Sequence, residues 1–64
     1  MKIDMNKLTG AEVISAEKLS GEKILGNENI GTAGLYAVLH VWSKRSNPKQ
    51  TWEETLETTL EDIN

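Results

Sequence analysis

The sequence predicts a small all-α domain, three helices arranged around one central apolar helix, with residues 1–64 forming a single unit. Three observations carry this prediction. Eight of the ten positions from Ala33 to Trp42 are apolar, and they recur at helical spacing. Capping boxes at Thr9 and at Thr51 mark two helix starts. A chain of 64 residues has room for one core only, and at this size about 60% of the unfolded surface is buried.

Composition supports a globular reading. The hydrophobic fraction is 38%, and the five glycines bring the total close to the usual globular share of roughly 45–50%. There is no cysteine, so neither a disulfide nor a thiolate zinc site supplements the core.

Each element has its own signals. Residues 1–8 carry none and are read as the segment open to disorder. Thr9-Gly10-Ala11-Glu12 then forms a capping box, with Ala11–Leu19 free of Gly and Pro and Gly21 placed to close the helix in the left-handed region. The apolar positions Val13, Ile14, Ala16 and Leu19 do not share one face. Residues 20–32 carry three glycines and two asparagines, which is loop chemistry, with Ile24, Leu25 and Ile30 expected to tuck the loop onto the core.

The central helix is expected from Thr32 or Ala33 to Arg45 or Ser46. Leu35, Val38, Leu39 and Trp42 fall at i, i+3, i+4 and i+7, one helical face, and form either the core or a self-association surface. Tyr36, Ala37 and Val41 widen that face, as in a helix packed on two sides. Lys44 and Arg45 suit the negative end of the helix dipole, and Pro48 steers Asn47 out of helical geometry. Thr51-Trp52-Glu53-Glu54 opens a last helix with Trp52, Leu56, Leu60 and Ile63 at helical spacing; it is read either as continuous or as broken near Thr58.

Chemistry-bearing patterns are sparse. His40 is the only histidine and has no acidic residue three or four positions away, so it reads as a core-edge or surface side chain rather than a metal ligand. Glu53, Glu54 and Glu57 are the densest carboxylates and sit at a helix start, where they complement the dipole. Gly31-Thr32-Ala33-Gly34 lacks the lysine and spacing of a phosphate loop. The expectation is a protein that is not an enzyme and holds no cofactor and no metal.

A formal charge of −3 and a pI of about 5.0 argue against a nucleic-acid partner. No apolar segment approaches the ~20 residues of a membrane span, and no signal peptide opens the chain, so an intracellular setting is expected. Residues 51–64 carry five acids and no base, which reads either as a solvated helix with its dipole satisfied or as an acidic face offered to a basic protein partner. Trp52, Leu56 and Leu60, with Glu53, Glu54 and Glu57, are the candidate partner-binding residues. Trp42 is expected in the core, and Trp52 is expected to be the more exposed tryptophan.

The ordered series Leu8-Thr9-Gly10-Ala11-Glu12, Glu17-Lys18-Leu19-Ser20-Gly21, the apolar helix ending Lys44-Arg45-Ser46-Asn47-Pro48, and Thr51-Trp52-Glu53-Glu54 resembles the small tail assembly chaperones of siphophages and prophages. That resemblance covers most of the chain. It implies a non-catalytic, cytoplasmic protein of the bacterial host cell that binds the tape measure protein, or another tail protein, during tail morphogenesis. Self-association into a homo-oligomer fits the same picture. Two other readings stay open: an acidic inhibitor of a host nucleic-acid-binding or defence protein, and a minor structural subunit of the virion.

Overall fold

A computed structural model of the chain describes residues 3–63. All regular elements among them are helical: a 3-10 turn at Met5–Lys7, then α1 (Gly10–Ser20), α2 (Thr32–Ser43), α3 (Trp52–Leu56) and α4 (Leu60–Ile63). The all-α class and the central place of the apolar helix are as the sequence predicts.

Both capping boxes form. The Thr9 hydroxyl accepts from the Glu12 amide at 3.2 Å, while the Glu12 carboxylate accepts from the Thr9 amide at 2.8 Å. Gly21 closes α1 at φ 71°, its amide donating to the Glu17 carbonyl. Thr51 and Glu54 repeat the reciprocal pair at 3.1 and 3.0 Å. The last helix is broken, as one of the two readings has it. Glu57 leaves the helix, and the Tyr36 hydroxyl donates to the Thr58 carbonyl at 2.6 Å, so a tertiary bond takes a carbonyl that would otherwise face the next turn.

The loop between α1 and α2 is held by two carboxylates. Glu17 accepts from the Ile24 amide at 3.0 Å. Glu22 accepts from the amides of Gly31 and Gly34, each at 2.8 Å, and so caps α2, whose N-cap Gly31 has no side chain with which to do it. Ile24 is buried and Ile30 half-buried against the core, as expected. Leu25 is not an attachment point. It is 73% exposed, since a chain that turns Ile24 inward at this turn leaves its neighbour pointing out.

The core has two adjoining parts. Ala16, Ile24, Ala37, Val38 and Val41 form one; Tyr36, Leu39 and Ile63 form the other. Ile3 and Trp52 pack against both. Residues 3–8 are therefore part of the packed structure, with Ile3 and Leu8 half-buried against it.

The central stripe divides between core and edge, and Trp42, expected in the core, lies at the edge. Val38 and Leu39 are buried, but Leu35 is 37% exposed and Trp42 is only half-buried and belongs to neither part of the core. Helix α2 is covered on nearly every side, with Gly34, Tyr36, Ala37, Val38, Leu39, His40 and Val41 all buried. The one strip left is the one that carries Leu35 and Trp42, seven residues apart. Trp52, expected to be the more exposed tryptophan, is half-buried like Trp42 and packs against both parts of the core.

Candidate protein-interaction surfaces

His40 ends up buried in α2 with a polar partner. Its Nδ1 lies 2.7 Å from the Thr55 hydroxyl, which also accepts from the Gln50 amide at 3.2 Å and donates to the Thr51 carbonyl at 3.2 Å. An Nδ1–H tautomer satisfies all three bonds at once, because the hydroxyl then uses its single proton on Thr51 and accepts twice. Trp52 meets the imidazole edge-on, with ring centroids 5.5 Å apart. Burial, with the Lys44 charge adding to it, pushes the His40 pKa below the usual histidine range and favours the neutral ring. His40 thus fastens α3 to α2 and is a structural histidine.

Arg45, just past the end of α2, reaches the start of α1. Its Nε and Nη2 donate to the two Glu12 carboxylate oxygens at 2.8 and 2.6 Å, and Nη2 also donates to the Lys7 carbonyl at 2.6 Å. The guanidinium lies 4.8 Å from the centre of the Trp42 ring. Arg45, followed by the Thr9 amide, holds the Glu12 carboxyl down at about 2. Trp42 is consequently a platform for Arg45 at the rim and not a core residue.

The acids of the C-terminal region stand exposed. Trp52 is half-buried and packs against both parts of the core, with only part of its surface left facing out. Leu56 and Leu60 are 48% and 59% exposed, and Glu53, Glu54 and Glu57 are exposed around them. Glu54 is engaged in its capping box, where the Thr51 amide and hydroxyl lower its pKa. Glu53 and Glu57 form no ion pair with a described residue.

Concave surfaces between the elements were not anticipated. An open groove of about 570 Å³ runs between α1 and α2, with Ala11, Leu19 and Val41 along it and Lys18 and Lys44 at its rim. A smaller one of about 260 Å³ lies between the N-terminal turn and α2, lined by Met5, Ile30, Leu35 and Val38. The first was invisible in the sequence because its lysines are 26 positions apart. The exposed Leu19 at the α1 C-terminus, outside any shared stripe, was the nearest local signal.

Among the described residues, no group of three or more His, Asp or Glu side chains is placed to hold a metal ion, and no helix is long and apolar enough to cross a membrane. Comparison with protein family models, with curated proteins and with solved structures returned no match.

Proposed function

We propose that this chain is a non-catalytic protein-interaction module whose α3–α4 face takes a basic amphipathic segment of a partner protein. The observation that carries the reading is a pair of leucines, 56 and 60, left about half exposed in a region with five acids and no base. Apolar contact area supplies affinity in such a face, and the acids around it supply steering and choice of partner. The helix-in-groove mode suits a long helical partner.

In keeping with the tail assembly chaperone resemblance, the partner is the tape measure protein, which the chain would keep soluble in the host cytoplasm while the tail tube assembles. Co-expression tests this. The tape measure protein encoded in the same genome should partition to the soluble fraction with the chain and return to the pellet with a Leu56→Asp/Leu60→Asp variant. An unchanged distribution with and without the wild-type chain would sink the reading. Tight binding to a basic host nuclease instead would favour the inhibitor, and recovery of the chain in purified particles would favour the virion subunit.

A further inference from the structure

The α1–α2 groove has the opposite character to the α3–α4 face. Its apolar lining comes from Ala11, Leu19 and Val41, the mutually paired Glu12 and Arg45 also line it, and its rim carries Lys18 on one helix and Lys44 at the end of the other. Neither lysine forms an ion pair with a described residue; Arg45, at the same end, is already paired with Glu12. Both lysines are exposed. The groove therefore offers apolar surface framed by uncommitted positive charge, inside a chain whose net charge is −3. Its fitting occupant is an acidic segment with a protruding aliphatic side chain.

Such a segment exists on this molecule. Leu56 is 48% exposed, with Glu53 and Glu57, each uncommitted, three residues before and one after it. A chain cannot fill its own groove with this Leu56, because the side chain stands exposed in the folded molecule. We infer that the α1–α2 groove receives the Leu56 face of a second copy of the chain, with Lys18 and Lys44 set against the second copy's Glu53 and Glu57. A standard interface covers about 800 Å² per partner, roughly a sixth of the 4530 Å² that this small chain exposes. The inference does not depend on a tail protein. It adds that self-association covers Leu56, which the proposed partner also needs, so partner and second copy compete.

Charge-swapped variants of the full chain, weighed by sedimentation equilibrium, provide the test. The wild type should show a mass above 7.1 kDa that rises with concentration and falls back as salt screens the contact. Lys18→Glu/Lys44→Glu and Glu53→Lys/Glu57→Lys should each weaken self-association at least about tenfold, since each sets like charge against like. An equimolar mixture of the two variants should restore it. All four positions are exposed, and circular dichroism confirms that each variant is folded; Leu56→Ser, which changes no charge, should weaken association as well. A wild type that stays at 7.1 kDa at about millimolar concentration overturns the inference. So does a groove variant that associates like the wild type, or a mixture of folded variants that does not associate. Retention of tape measure binding by Lys18→Glu/Lys44→Glu separates this outcome from the fate of the partner reading.

Discussion

The N-terminal and C-terminal regions of this chain begin with the same local device and put it to different uses. At Thr9 and at Thr51, a hydroxyl accepts from the third amide of a helix while a glutamate reaches back to the capping residue. The first box starts an eleven-residue helix, and Arg45 crosses from the end of α2 to grip its glutamate. The second starts a five-residue helix, and among the described residues its glutamate bonds within its own box. A capping box therefore sets where a helix begins. What the helix is fastened to, and how far it runs, depends on what lies across from it: Arg45 for α1, and the Tyr36 hydroxyl that ends the α3 region for the other.

This contrast is open to direct attack. The C-terminal region depends on one aromatic side chain, so Trp52→Ala should be the most damaging change, at roughly 3 kcal/mol, the low end for Trp→Ala at a half-buried site. Trp42→Ala should cost about 1 kcal/mol, since it removes a stacking surface for Arg45 and no core packing. Urea denaturation of both variants checks the order, and a larger loss at Trp42 would reverse the assignment of the core tryptophan.

Next in size is the seam of the N-terminal region. A Cβ at Gly34 would collide with Ile30 Cγ2 and sit 3.2 Å from the Glu22 carboxylate that caps α2. Gly34→Ala should therefore lose about 1–2 kcal/mol, even though alanine is the better helix former. Gly10→Ala, where an added Cβ meets nothing, should be neutral or slightly stabilising. Thermal melts of the two variants separate packing from propensity.

Thr9→Ala and Thr51→Ala should each cost about 1 kcal/mol, the ordinary value of an N-cap. They should differ in coupling. Thr9 steadies the carboxylate that Arg45 holds, so a double-mutant cycle of Thr9→Ala with Arg45→Ala should be non-additive. Thr51→Ala with Arg45→Ala should be additive, and equal coupling in both cycles would erase the distinction between the boxes.

The smallest effects are in pH dependence. The folded Glu12 carboxyl lies at about 2, below its unfolded value near 4.5, so its contribution is complete above pH ~4.5 and is lost as pH falls toward 2. The Glu12→Gln variant should flatten that limb of a stability–pH curve more than Glu54→Gln, whose carboxyl is lowered only by its own box. His40 adds a separate window. Its folded pKa is depressed by burial, so stability should begin to fall as pH drops below about 6.5, where the unfolded ring takes up a proton first. His40→Gln should remove that earlier decline while leaving the Glu12 limb in place.

Much of the fold was legible in the residues because it rests on local rules. The two capping boxes, the left-handed Gly21 and the apolar α2 all follow from neighbours in the chain, whereas the break near Thr58, one of two sequence readings, goes with the tertiary bond from Tyr36. The exposure of Leu56, Leu60 and their acids was legible, whereas the packing of half-buried Trp52 against both parts of the core was not. Local reasoning does not reach Glu22, which caps α2 from nine and twelve residues away, or the pairing of Lys18 with Lys44 across one groove.

By itself the sequence determined where helices start and which helix is central, because backbone geometry and capping bonds act over three or four residues. The tertiary structure alone decided which face of that helix is left uncovered. With α2 surrounded on nearly every side, an apolar stripe no longer says which of its members face the core. Position among the neighbouring elements buried Val38 and Leu39, left Leu35 and Trp42 at the edge, and drew Trp52 inward.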